Sequence, residues 1–224
     1  VKPPQTSLRA YYELGLRVLN LVYNVTNKFA GGCLNPEIGL SRAGRYLVAE
    51  AQEMGMLVDC GGHTGEKSSL DIIKIAKKPV VCTHSNVDTL NKNPRNTSDR
   101  VIKGIANSGG LFAISAIDPF MRWGPHTMGR DPDSYPKSNV ARIVDEFDYL
   151  RKLVGVDHIG LGADFTHGAN ARVDGSVAFA FSEEMTYAHQ PIAYADGFED
   201  PSQTPNLIVE MENPQLNQQV EDDK

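Results

Sequence analysis

Residues 56–63 read MLVDCGGH, and residues 79–85 read PVVCTHS. Each is an apolar run that ends close to a histidine, and residues 68–76 between them carry apolar side chains at helical spacing. Two short apolar strands joined by a helix are typical of a parallel sheet that helices cover. Because the carboxyl ends of parallel strands meet at one edge, we expect His63 and His84 to lie side by side there. Two neighbouring imidazoles at such an edge indicate a shared metal ion.

The composition of the chain indicates which classes of partner it does not favour. The chain has 224 residues and a formal net charge of -6, which does not favour binding to nucleic acid or to an anionic membrane surface. No apolar run reaches the roughly 20 residues of a membrane span, and residues 1–5 do not resemble a signal peptide. We therefore expect no nucleic-acid partner and no membrane insertion by this segment. The sequence leaves the cellular compartment open.

The alternation of strand and helix continues on both sides of the opening stretch. Strands are predicted near residues 17, 56, 80, 111 and 158, and Ser41, Ser68 and Ser138 are each placed to begin a helix. Five βα units form either an open doubly wound sheet or part of a closed barrel. No Gly-x-Gly-x-x-Gly follows a strand, so the pattern does not favour dinucleotide binding.

The composition also predicts the bounds of the domain, a C-terminal tail and one long loop. We expect residues 1–211 to form one domain and the polar residues 212–224 to be a disordered tail. Residues 118–137 are rich in Pro, Gly and Arg and are long for a connection between a strand and a helix. Long connections of this kind are often lids or binding loops.

Eight short motifs carry a resemblance that extends from Leu8 to about Asn206. In chain order they are Tyr12–Arg17, Gly39–Ser41, Met54–Asp59, Pro79–Asn86, Pro94–Asn96, Gly109–Gly110, Gly160–Phe165 and Gly197–Asp200. In this order and at these spacings the chain resembles the membrane (renal) dipeptidase family. This is peptidase family M19 of the amidohydrolase superfamily, and the resemblance is greatest to its bacterial members.

The resemblance implies a fold and a metal site. The fold would be a TIM-type (β/α)₈ metallo-hydrolase barrel, of which this chain holds roughly the last five βα units, with two zinc ions at its C-terminal face. His63 and His84 match the two histidines that the family places on later strands. The family's other ligands, a His-x-Asp and a bridging Glu, have no counterpart in this chain. We therefore expect a fragment completed by a missing N-terminal segment, or a chain completed by another copy in a homo-oligomer.

The resemblance also implies substrate-binding and catalytic residues. Arg95 matches the arginine that holds the terminal carboxylate of the substrate, and Tyr23 stands at a substrate-contacting position. Asp164 matches the acid that handles protons on the attacking water and the leaving amine. The implied function is zinc-dependent hydrolysis of the peptide bond of dipeptides by a metal-activated water.

One departure from the family pattern keeps other functions open. The family's strand runs Asp-x-Ser-His, whereas three residues, Cys60-Gly61-Gly62, separate Asp59 from His63. A glycine bulge can absorb the additional residue and keep His63 directed at the metal. The first alternative is a noncatalytic or degenerate dipeptidase-like subunit that has lost part of the metal site. The second is an amidohydrolase-type reaction, such as opening a cyclic amide, that does not need Arg95. Cys60 and Cys82 are minor candidates as additional metal ligands.

Overall fold

The structure, a computed structural model, describes residues 4–121, 137–165 and 194–213. The strands are β1 (Val18–Asn20), β2 (Leu57–Asp59), β3 (Val80–Ser85), β4 (Leu111–Ile114) and β5 (Ile159–Leu161). The α-helices of these ranges are α1 (Pro4–Glu13), α2 (Arg42–Glu53), α3 (Glu66–Ile75), α4 (Asp99–Asn107), α5 (Asp118–Met121), α6 (Val140–Val154) and α7 (Thr204–Met211). Short 3₁₀ turns, Val156–His158 and Pro201–Gln203, precede β5 and α7.

The five strands form one parallel sheet in the order β1-β2-β3-β4-β5. Each strand therefore pairs with the next one along the chain, as the predicted βα units require. The register places Asp59 beside Val81, and the ladder between β3 and β4 shifts between Cys82 and Ser85. The parallel arrangement brings the carboxyl ends of all five strands to one edge.

Helices pack on one face of this sheet. The side chains of Val58, Phe112 and Ile114 on that face are almost fully buried, and α2, α4 and α6 contact the strands. Residues that alternate with them point to the opposite face, where Leu57 is 43% exposed and Leu111 is 38% exposed. Helices thus cover one side of the sheet, as they do on the outside of a barrel.

Strand β1 is shorter than the apolar run from which it was predicted. The strand predicted near residue 17 comprises only Val18–Asn20, because the side chain of Asn20 accepts a hydrogen bond from the Val22 N–H at 3.2 Å and turns the chain. The apolar residues beyond that turn, such as Leu21 and Val22, are buried in the core without belonging to the sheet.

The predicted helix starts are confirmed at one serine and wrong at two. Ser41 caps α2 by accepting a hydrogen bond from the Gly44 N–H at 3.1 Å. Helix α3 instead begins at Glu66, so Ser68 lies inside it, where its buried hydroxyl donates to the Ile38 carbonyl. Tertiary contacts, which sequence spacing does not reveal, determine its role.

The cap of α6 lies one residue after the predicted cap, Ser138, and the helix begins at Val140. Asn139 caps it through a hydrogen bond from the Arg142 N–H. The Ser138 hydroxyl donates instead to the Asp118 carboxylate at 2.7 Å. Of the predicted loop at residues 118–137, the first four residues form α5, and residues 122–136 lie outside the described ranges.

The C-terminal part of the described chain ends shortly after α7, at Asn213. Most of the predicted polar tail, residues 214–224, lies outside the described ranges, and the division at residue 211 stays a prediction. Each helix within residues 4–121, 137–165 and 194–213 is too short or too polar to cross a lipid bilayer.

Candidate metal and substrate site

Two glycines turn the chain between β2 and His63. Gly61 has φ +100° and Gly62 has φ +54°, which lie in the left-handed region that favours glycine. A Cβ at Gly62 would lie 2.5 Å from the Arg95 Nη1 atom, so this position also has no room for a larger residue. The glycine pair therefore accommodates the additional residue and returns His63 to the carboxyl edge of the sheet.

The two histidines meet at this edge. The Nε2 atoms of His63 and His84 are 3.0 Å apart, and the ring planes are inclined at 66°. Burial lowers the pKa of both imidazoles below the usual value, and the positive charge of Arg95 lowers both further. Both rings are therefore neutral at pH 7, which is the form that binds metals.

His63 is held by two consecutive residues that follow β1. Its Nδ1 atom is 2.7 Å from the Oδ1 atom of Asn24, a buried residue with φ +59°. The ring of Tyr23 stacks on the imidazole, with centroids 4.1 Å apart. Partial burial raises the pKa of the Tyr23 hydroxyl, although the nearby charge of Arg95 opposes the shift.

His84 is held from the neighbouring strand. Its Nδ1 atom lies 2.8 Å from the hydroxyl of Thr83, and that hydroxyl lies 2.5 Å from the Oδ2 atom of Asp59. The Thr83 backbone N–H also donates to Asp59 Oδ1 at 3.4 Å. The parallel register of β2 and β3 thus connects a carboxylate on one strand to an imidazole on the next.

Arg95 reaches the histidine pair from the loop between β3 and α4. It is 2% exposed, and its Nη2 atom lies 3.3 Å from His63 Nε2. The guanidinium carbon is 5.0 Å from the centroid of the Phe120 ring, a cation–π distance. The other terminal nitrogen, Nη1, is buried and has no hydrogen-bond partner in the part of the chain that the structure describes. A buried guanidinium nitrogen without a partner indicates a place for an acceptor group outside the described residues.

Asp164 lies just after β5 at the same edge. Its φ is +62°, and its backbone carbonyl accepts a hydrogen bond from the Tyr194 hydroxyl at 3.0 Å. Its carboxylate is close enough to raise the pKa of both His84 and Tyr23, although burial and Arg95 have larger effects on each. The structure therefore brings all five predicted site residues, Tyr23, His63, His84, Arg95 and Asp164, to one region.

The cysteines suggested as minor ligands belong to the apolar core. Cys60 and Cys82 are buried, and burial raises the pKa of both thiols well above the usual value. A metal binds the thiolate, so this environment disfavours ligation by either cysteine. Of the other histidines, His158 bonds the Gly110 carbonyl through Nδ1, while His126, His167 and His189 lie outside the described residues.

The roles of Asn24, Thr83 and Asp59 were not predicted from the sequence. Thr83 directly precedes His84 and Asn24 directly follows Tyr23, which are the only sequence signals. Their contacts depend on strand register and on the turn after β1, so the sequence alone does not reveal them.

The separation of the two imidazole nitrogens can be compared with that of two ligands on one metal ion. Two nitrogens on one tetrahedral zinc ion are about 3.3 Å apart, which is close to the separation of the two Nε2 atoms. Within the three described ranges, no group of three or more His, Cys, Asp or Glu side chains is placed to hold a metal ion. The two imidazoles therefore fit as two ligands of a larger set.

Known proteins match this chain along most of its length. Residues 4–178 match the family model described as Membrane dipeptidase (Peptidase family M19). An uncharacterized dipeptidase of Schizosaccharomyces pombe is 32% identical over 166 residues, which are 70% of this chain and 37% of the yeast protein.

Two solved structures share the fold. An amidohydrolase from Pseudomonas aeruginosa is 28% identical with a TM-score of 0.75, over 93% of this chain and 61% of that one. A metallo peptidase from Rhodobacter sphaeroides, solved with a phosphinate mimic of the dipeptide L-Ala-D-Ala, is 25% identical with a TM-score of 0.68, over 92% of this chain and 52% of that one. The chain thus spans less than two thirds of each of these relatives.

Proposed function

This chain belongs to the membrane dipeptidase family, peptidase family M19, and we propose that it contributes the site of a zinc-dependent dipeptidase. The observation that carries the proposal is the convergence of His63 Nε2 and His84 Nε2 at 3.0 Å beside a buried arginine. Zinc, when bound, lowers the pKa of a bound water and polarises the scissile carbonyl. We assign His63 and His84 as two of its ligands.

Arg95 is assigned to the carboxylate of the substrate. Its Nη1 atom is buried and has no acceptor among the described residues, and a guanidinium binds a carboxylate with two parallel hydrogen bonds. An arginine this close to the histidine pair leaves room for one residue between the scissile bond and the carboxylate. The substrate class that fits is therefore the dipeptide.

Two further residues are assigned from their positions. Asp164 would take a proton from the attacking water and return it to the leaving amine, because it follows β5 at the edge where the two histidines lie and its carboxylate is near enough to raise the pKa of His84. Tyr23 is 46% exposed beside His63, so its ring offers a contact surface to the substrate.

A noncatalytic homologue is the competing function. The observation that favours it is that His63 and His84 have no third ligand among the described residues. Zinc binding and turnover by the purified protein separate the two functions. We expect hydrolysis of L-Ala-D-Ala that a chelator abolishes and zinc restores, and loss of both zinc and activity in His84→Asn. Absence of turnover of any dipeptide, with zinc added and whether or not zinc binds, would support the noncatalytic homologue.

The assignment of Arg95 is tested with the same substrate. We expect Arg95→Gln to raise the KM for the dipeptide about 10- to 100-fold, the effect of losing charge-assisted hydrogen bonds. Amidation of the dipeptide should raise the KM of the unaltered protein by a similar factor and change that of Arg95→Gln little. Arg100→Gln, an exposed arginine on α4, is the control. An unchanged KM in Arg95→Gln, or turnover of a cyclic amide alone, would contradict the assignment.

A further inference from the structure

We propose that Asn24, Thr83 and Asp59 are positioning residues that hold both site histidines in the Nδ1–H tautomer, so that both Nε2 lone pairs face the same space. The inference rests on the proposed metal site and adds three residues to it. It follows from the direction that each hydrogen bond must take.

The tautomer of His84 follows from the chain of bonds through Thr83. In its ionised form the Asp59 carboxylate can only accept, and it receives the Thr83 backbone N–H on Oδ1 and faces the Thr83 hydroxyl at 2.5 Å on Oδ2. The hydroxyl has one proton, which it donates to Asp59. It must therefore accept from His84 Nδ1, 2.8 Å away, so Nδ1 carries the imidazole proton and Nε2 carries the lone pair.

The tautomer of His63 follows from two independent neighbours. Its Nδ1 atom lies 2.7 Å from the oxygen of the Asn24 amide, which can only accept. Its Nε2 atom lies 3.3 Å from Arg95 Nη2, and a guanidinium can only donate. The contact with Arg95 does not depend on how the amide oxygen and nitrogen of Asn24 are assigned, and it also leaves the His63 proton on Nδ1.

Two lone pairs that face each other at 3.0 Å cannot form a hydrogen bond with each other. A cation that binds both Nε2 atoms would satisfy the two lone pairs and replace the Arg95 contact with His63, and outer hydrogen bonds to the far nitrogens of metal-binding histidines fix rings in this way. Asparagine also suits the backbone conformation at position 24, because it tolerates the left-handed φ of +59° better than most residues. Asn24, Thr83 and Asp59 thus prepare the pair for a metal.

The test reads the tautomers directly, without relying on activity. Long-range ¹H–¹⁵N NMR spectra of the metal-free, ¹⁵N-histidine-labelled protein distinguish protonated from unprotonated ring nitrogens. His63→Asn and His84→Asn identify the two sets of signals. We expect both residues to carry the proton on Nδ1. A proton on Nε2 of His84 would mean that the Thr83 hydroxyl donates to His84 and not to Asp59, and this result would overturn the proposal.

Matched variants then test the positioning. Thr83→Val removes the hydroxyl at nearly constant shape, and Asn24→Gly removes the amide while permitting the positive φ. Each should abolish the tautomer preference of its own histidine and raise the zinc dissociation constant about 10- to 100-fold. Thr83→Ser and Asn24→Asp, which keep a hydroxyl and an acceptor, should restore both. Wild-type spectra and zinc affinity in folded Thr83→Val would contradict the proposal.

These outcomes are separable from those of the dipeptidase assay. Nδ1–H tautomers and weakened zinc binding in a protein that hydrolyses no dipeptide would uphold the positioning role and reject the proposed activity. Dipeptide hydrolysis by a protein whose His84 carries its proton on Nε2 would uphold the proposed activity and reject the positioning role.

Discussion

Gly62 links the backbone turn before His63 to the position of Arg95. A Cβ there would lie 2.5 Å from Arg95 Nη1, and the residue has φ +54°. We expect Gly62→Ala to push the buried guanidinium aside and raise the KM for a dipeptide about tenfold, in addition to a loss of about 1–2 kcal/mol in unfolding free energy from the left-handed backbone. Steady-state kinetics and urea unfolding measure the two effects.

The matched control is Gly55→Ala. Gly55 has φ +81°, and no atom lies within 4 Å of the position that a Cβ would take there. Its substitution should cost a similar backbone strain and leave the KM unchanged. Equal KM values for the two variants would show that Gly62 does not place Arg95.

At the scale of the element, α3 is joined to the rest of the fold by a serine inside the helix. The Ser68 hydroxyl donates to the Ile38 carbonyl and accepts from the Gly31 N–H, both at 2.9 Å. Ser68→Ala leaves these groups unsatisfied in a buried position, and we expect it to lower the unfolding free energy by about 1–3 kcal/mol. Urea or thermal unfolding measures the change.

Ser98 provides the comparison at the start of α4. Its hydroxyl is buried but forms no hydrogen bond within the described part of the chain, and it gives no side-chain cap to the helix. Ser98→Ala should therefore change the unfolding free energy by less than about 0.5 kcal/mol. Equal losses in the two variants would mean that helix propensity, rather than the bonds of Ser68, determines the effect.

At the scale of the whole molecule, a buried carboxyl on α6 couples stability to pH. Glu146 accepts a hydrogen bond from the Val87 N–H at 2.9 Å, and burial raises its pKa from 4.5 to about 8. Between these values the folded protein holds a proton that the unfolded chain releases. The unfolding free energy should therefore fall as pH rises from about 4.5 to 8, by a few kcal/mol in total.

Urea unfolding as a function of pH tests this linkage. Glu146→Gln keeps an acceptor for the Val87 N–H and does not titrate, so it should remove the decline and be more stable than the unaltered protein at pH 8 and above. Glu53→Gln, an exposed carboxylate on α2, should keep the decline. An unchanged pH slope in Glu146→Gln would locate the linkage elsewhere.

The open face of the sheet bears on assembly. Val18, Leu57 and Leu111 are 38–43% exposed on the side that the helices of residues 4–121, 137–165 and 194–213 do not cover, and parallel sheets are normally covered on both faces. Completion by a second copy or by a further segment stays a prediction. Sedimentation should give a mass above 24.5 kDa if copies pair, or a monomer of that mass that binds an apolar dye if a segment is missing. A monomer without dye binding would contradict both.

The sequence by itself indicated the family and the fold class, and it led to a predicted set of site residues. Apolar runs and helical spacing predicted five parallel βα units, because the spacing of apolar side chains reflects the type of element that buries them. The family motifs then indicated Tyr23, His63, His84, Arg95 and Asp164, and the structure brings these five residues together. Their chemical roles remain proposals.

Only the tertiary structure decided how these residues are held. The register of β2 against β3 pairs Asp59 with Val81, so that its carboxylate reaches the Thr83 hydroxyl two residues farther along β3. The turn after β1 places Asn24 against His63, 39 positions away in the chain. Ser68 and Ser138, which do not begin α3 and α6, instead form hydrogen bonds with residues 30 and 20 positions away in the chain. Such bonds join residues far apart in sequence, and local periodicity contains no information about them.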